Sequence, residues 1–292
     1  MFREEQIGLV TFQNGMANKP DEFLKSAKSV FDQFKEAPLC IGLYNPTFIQ
    51  PFPTPVDMIR FPNERTLNKS AVFSLCQTFK TFAHLLPKMN PNLLWVHFAH
   101  SEGGLIANAA LEACEECFFR DTHRYLKENF IGVTYGAVKP IADEYAKSAL
   151  NTYSKNDIAL FFGKDYIDSD IEEMVKKGEP IKKFYKGKTY TIKLIDCKTA
   201  FKPCVSMPVS MPERLSPKEF LALSFFERVA YRDEIDAAPW TTKVCIDFVN
   251  DFFHRVKDHG FTEASYTEQL NKDANELKRH GSNEGNNFLK KK

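Results

Sequence analysis

The chain has 292 residues, of which 43% are hydrophobic, enough for one large core or two modest ones. Its 39 Lys and Arg against 38 Asp and Glu leave a net charge of +1, so no electrostatic argument favours nucleic acid or an anionic surface as partner. No run nears the ~18 apolar residues of a membrane span, the start Met1-Phe2-Arg3-Glu4-Glu5-Gln6 lacks the basic-then-apolar order of a secretion signal, and the 7 cysteines are scattered as reduced thiols would be. The expectation is a cytoplasmic protein with no transmembrane segment, export by a route that reads no N-terminal signal being left open.

Ile7 to Phe12 is a short apolar strand that ends at Gln13-Asn14-Gly15-Met16. Phe23, Leu24, Ala27, Val30, Phe31 and Phe34 recur at helical spacing and predict an amphipathic helix over 20–36, opened by Pro20-Asp21-Glu22. Leu39 to Tyr44 reads as a second buried strand. A loop follows from Asn45 to Asn68, rich in aromatics and carrying prolines at 46, 51, 53, 55 and 62. A helix over 70–89 leads to the apolar strand 93–98. Beyond it the pattern predicts a helix over 104–119, strands at 131–135 and near 150–153, a charged helix over 166–177 and an alternating strand at 189–195. The lysines between 182 and 193 suit an exposed hairpin. Two aromatic helices are expected at about 216–232 and 241–256, then a short terminal helix and, from 279 to 292, a frayed tail. Alternating β and α segments imply one α/β domain over residues 1–278: a mostly parallel central sheet with helices on both faces, and an added helical region before the C-terminus. Segments 45–68 and 197–258 read either as a lid or as core-packing additions.

Chemistry concentrates at Ala99-His100-Ser101-Glu102-Gly103. These residues stand between the buried strand Leu93 to Phe98 and the small-residue stretch Gly104 to Leu111. A strand, a serine flanked by small residues and then a helix is the layout of a nucleophile elbow, where the chain turns sharply and aims the hydroxyl at a helix N-terminus. Ser101 is thus the candidate nucleophile. Such a serine needs a base and an acid to orient the base, in the chain order serine, acid, histidine. Asp157 follows the strand ending at Tyr153 and fits the acid, with Asp143 and Asp165 as alternatives. His259, in the loop Asp258-His259-Gly260-Phe261, fits the base, with His254 and His280 as competitors. An oxyanion needs two N–H donors. The candidates are the backbone N–H groups of Glu102 and Met16, with Asn14, Gly15 and Gly103 as supporting turn residues.

His100-Ser101-Glu102-Gly103-Gly104 is similar to the His-Ser-x-Gly-Gly elbow of many lipases, and the chain resembles the α/β-hydrolase superfamily over residues 5–196 and the loop near 259. Gln13-Asn14-Gly15-Met16, Tyr44-Asn45-Pro46-Thr47 and Asp258-His259-Gly260-Phe261 also resemble uncharacterised hydrolase-like proteins of chlamydiae. Two departures stand out: Ala99 where glycine is usual, and the long 197–258 segment before His259. The resemblance implies a serine esterase or lipase acting on a small-molecule or lipid ester, with no cofactor and no metal. Its counterpart is a hydrolase fold that has lost catalysis and serves as a binding or effector scaffold.

Cys114-Glu115-Glu116-Cys117 lies late in a predicted helix, away from the N-terminal end that would stabilise a thiolate. His97 and His100 are set to face opposite sides of their strand, with no third ligand at metal-site spacing. Neither pattern is expected to carry chemistry.

Overall fold

The computed structural model describes residues 6–15, 19–45, 69–116, 120–155, 157, 159, 171–196, 261 and 266–281. In chain order these form β1 (Gln6–Gln13), α1 (Pro20–Phe31), β2 (Leu39–Leu43), α2 (Lys69–Met89), β3 (Leu93–His100), α3 (Glu102–Glu116), α4 (Arg120–Asn129), β4 (Phe130–Tyr135), β5 (Ser148–Ser154), α5 (Ile171–Lys177), β6 (Ile181–Tyr185), β7 (Lys188–Ile195) and α6 (Thr267–Gly281). The seven strands make one sheet in the order β2-β1-β3-β4-β5-β7-β6. All neighbours run parallel except β6 and β7, which pair as an antiparallel hairpin. The chain is therefore an α/β protein.

The apolar runs become strands because the sheet is covered on both faces, so no position of β3 or β4 meets water. One face packs Leu9, Trp95 and Phe130 against Leu75, Phe79 and Leu86 of α2, Ile106 and Ala110 of α3 and Leu126 of α4. The opposite face packs Val10, Val96, Phe98 and Val133 against Phe23, Ala27 and Val30 of α1 and Leu270, Ala274 and Leu277 of α6. α1 starts where Pro20 presets the first helical φ and the Glu22 carboxylate accepts the Lys19 backbone N–H at 3.0 Å.

Several boundaries differ from the expectation. The first helix gives way after Phe31 to a 3-10 turn over Asp32–Phe34. The elbow helix begins at Glu102, two residues early, and the charged helix is described only over Ile171–Lys177. α4 has no counterpart in the sequence reading. The terminal helix is 15 residues long and runs through Gly281, so the chain is still helical at the expected start of the tail at 279. The segments 46–68 and 197–260, with both expected aromatic helices, lie outside the described residues.

Candidate functional site

Strand order creates the location. From β1 the chain crosses through α1 to β2 on one side, then returns through α2 to β3 on the other side of β1. The carboxyl ends of β1 and β3 therefore adjoin where the direction of the strand order reverses, the place where open α/β sheets commonly bind ligands. Gly15 stands just past the first of these ends and Ser101 just past the second.

Ser101 has φ of +56°, in the left-handed region. Among the described residues the other non-glycine there is Lys186, in the turn of the β6–β7 hairpin, where such a φ is ordinary. Ser101 has no hairpin to excuse it, and a left-handed L-residue costs ~1–2 kcal/mol. Backbone hydrogen bonds hold it there. Its N–H donates to the Tyr135 carbonyl at 3.1 Å, and its own carbonyl accepts from Gly104 N at 3.1 Å and Val138 N at 3.2 Å. The serine is thus pinned to the end of β4 and to the loop after it. α3 starts at the next residue, so the Glu102 N–H occupies the first turn, where no intrahelical acceptor exists.

Glycine is required on two sides by close approach. A Cβ at Gly15 would lie 2.4 Å from Ser101 Cβ and 2.9 Å from Ser101 Oγ. A Cβ at Gly103 would lie 2.6 Å from the Gln13 carbonyl and 2.9 Å from that of Asn14. The loop after β1 therefore lies directly against the serine and the first turn of α3.

Asn14 and Glu102 are buried, and a residue the sequence reading left in a loop joins them. Asn45, fully buried, donates its backbone N–H to Asn14 Oδ1 at 2.7 Å and its side-chain amide to Glu102 Oε2 at 2.7 Å. Asn14 Nδ2 donates in turn to the Gly15 carbonyl at 2.7 Å and the Asn45 carbonyl at 3.3 Å. This network ties the loops after β1 and β2 to the elbow. A buried polar pair with both ends satisfied fixes geometry well, because any slippage leaves polar atoms unpaired. Tyr44-Asn45-Pro46-Thr47 carries a resemblance but no role for Asn45, whose partners are 31 and 57 positions away.

Asp157 lies just past β5, two strands from β3, and is fully buried. Its N–H donates to the Ser154 carbonyl at 3.0 Å, and Oδ1 accepts from Ala159 N at 2.6 Å. Oδ2 accepts from the Tyr266 hydroxyl. That hydroxyl also accepts the Ser154 N–H at 3.0 Å. Tyr266 is a second residue the sequence reading missed, 109 positions from its carboxylate partner. Of the alternative acids, Asp143 accepts from Thr191 N at 3.1 Å and Thr191 Oγ1 at 2.8 Å, which ties it to β7. Asp165 is outside the described residues.

Met16, His254 and His259 also lie outside the described residues, as does the side chain of His280. Phe261, two positions after His259, is described. Its buried ring packs on Phe12 at 5.3 Å, His100 at 5.4 Å and Tyr135 at 5.7 Å. These are residues at the carboxyl ends of β1, β3 and β4, on the same rim as Ser101.

His97 and His100 do face opposite sides of β3. His97 sits between Phe79 and Phe130, with Nδ1 2.8 Å from Thr11 Oγ1, which also accepts the Trp95 indole N–H at 2.8 Å. Complete burial pulls its pKa down to about 3, so it stays neutral. No group of three metal-ligating side chains occurs among the described residues. Cys114 is buried in α3, and Cys117 is outside the described residues. No helix described is long and apolar enough to cross a membrane.

These features define an α/β protein with a left-handed serine at its topological switch point. The chain matches no family model and no curated protein.

Proposed function

We propose that the protein is a serine hydrolase that cleaves a carboxylic ester through an acyl-enzyme on Ser101. The observation that carries this reading is the left-handed φ of Ser101, held between the Gly15 backbone and the first turn of α3. Strain of that kind persists only where surrounding structure enforces it, and it clusters at working sites. In this reading Ser101 Oγ attacks the ester carbonyl. His259 takes the hydroxyl proton and returns it to the leaving alcohol, and Asp157 orients the imidazole and stabilises its charge. The backbone N–H groups of Glu102 and Met16 receive the oxyanion, and water then releases the acid. A thioester would use the same residues.

Two further observations support it. Strands two apart in a sheet are separated by ~10 Å, a gap that one imidazole with a hydrogen bond at each end largely fills. Asp157 stands at that remove from the serine strand. Phe261, two positions after His259 in the sequence, seats its buried ring beside His100 on the rim that carries Ser101.

The test is fluorophosphonate labelling read by intact mass, on the native chain, Ser101→Ala and His259→Ala, with and without detergent micelles. One adduct on the native chain, lost in both variants, is the expected result. Folded native protein that stays unmodified in both media would overturn the proposal and leave the binding scaffold as the better description.

A further inference from the structure

We propose that Tyr266 is the positioning residue for Asp157, so that the start of α6 sets the acid limb of the site. This rests on the serine-hydrolase reading and extends it to a residue at the start of α6. The tyrosine hydroxyl is used twice: it donates to Asp157 Oδ2 and accepts the backbone N–H of Ser154, the last residue of β5. Its oxygen therefore sits at a fixed point relative to the sheet, and the carboxylate is fixed relative to it. Ala159 N holds the other carboxylate oxygen. With both oxygens engaged, the carboxylate plane cannot swing about its side-chain torsions. The Tyr266 ring is fully buried and wedged against Tyr135 at 5.4 Å and His100 at 6.3 Å, the latter preceding the serine. One side chain thus links the acid to the elbow strand.

A tyrosine that merely anchors α6 would look similar, and α6 has a second anchor for comparison. Asp273 accepts from the Tyr135 hydroxyl at 2.7 Å and from Gln269 at 2.5 Å, with Lys193 Nζ 3.9 Å away. The two roles separate in how reactivity depends on pH. The Tyr266 hydroxyl donates to Asp157 Oδ2 and draws on the electron density that would otherwise serve the imidazole. Without that donor the full charge of the carboxylate faces the imidazolium, which then holds its proton more firmly. The titratable neighbours His100, Tyr135, Asp273 and Lys193 stay unchanged, so a shift reads the deleted bond.

The experiment measures the rate of fluorophosphonate labelling against pH, in micelles, for the native chain, Tyr266→Phe, Asp157→Asn, the double variant, and Tyr125→Phe. Tyr125 donates its hydroxyl to the Leu93 carbonyl at 3.3 Å, at the far end of β3, and controls for loss of one buried hydroxyl. Rates are taken per folded molecule, with folding followed by circular dichroism. Tyr266→Phe should label about 10-fold more slowly, the size of loss that loosened positioning produces, with the midpoint of its pH profile moved upward. Adding Tyr266→Phe to Asp157→Asn should slow labelling no further, and Tyr125→Phe should behave as native. A native rate and midpoint in Tyr266→Phe, additive losses in the double variant, or equal slowing in Tyr125→Phe would each overturn the inference while leaving the hydrolase reading intact. A native chain that does not label would remove both.

Discussion

Ser101 and His97 sit four residues apart, and each is held in a state that water would not favour. For Ser101 the unfavourable state is the backbone. Glycine has no Cβ to clash at φ of +56°, whereas alanine retains the clash that serine carries. Ser101→Gly should therefore exceed Ser101→Ala in unfolding free energy by about 1 kcal/mol in urea titrations, although both lack the hydroxyl. Equal midpoints would mean that the turn holds no strain. For His97 the unfavourable state is charge. The unfolded imidazole takes a proton below its ordinary pKa of 6.5, but the folded one does so only near 3. The unfolded chain thus binds more protons within that window, so the contribution is full above pH 6.5 and is lost as pH falls toward 3. Between pH 7 and pH 4.5 this should cost the native chain about 2 to 3 kcal/mol that His97→Gln does not lose, read from urea midpoints at the two pH values. Parallel losses in both chains would show that His97 is not the proton acceptor.

At the scale of elements, legibility followed the number of apolar side chains each segment buries. β1, β3 and β4 are continuous apolar runs because both their faces are covered, and their places could be read directly. α4 could not. In its ten residues, Arg120 to Asn129, burial falls on Thr122, Tyr125 and Leu126, too few to set a period among so many charges. α6 hid its length for a related reason. Its buried stripe of Leu270, Ala274 and Leu277 is interleaved with buried Gln269 and Asp273, so polar residues occupy part of the inward face. The turn at Ser101 was legible because its requirements are local: strand, small residues and helix follow one another within a few positions. Asn45 and Tyr266 act through pairings that only the folded sheet creates. The sequence thus announced the serine and its glycine-bearing turn, but not the distant side chains, Asn45 and Tyr266, that tie the neighbouring loops together.

For the whole molecule, the two faces of the sheet are covered unequally. Among the described residues, α2, α3 and α4 cover one face, while α1 and α6 cover the other. A chain ending at residue 265 would lose Tyr266 and all of α6, baring Phe98, Val133 and Tyr135 on that side. Such a chain should bind 8-anilinonaphthalene-1-sulfonate strongly and show no cooperative thermal transition. A sharp transition with little dye binding would mean that α6 is dispensable. The tie between Tyr266 and Asp157 also bears on when reactivity can arise during synthesis. Ser101 emerges 165 residues ahead of Tyr266, a delay of roughly 8–33 s at the ~5–20 residues/s of translation. Throughout that interval the elbow can form while the acid lacks its tyrosine. Under the proposed function, a nascent chain would carry its nucleophile early and complete the hold on its acid only once Tyr266 is made, so reactivity would trail the serine by the length of that wait.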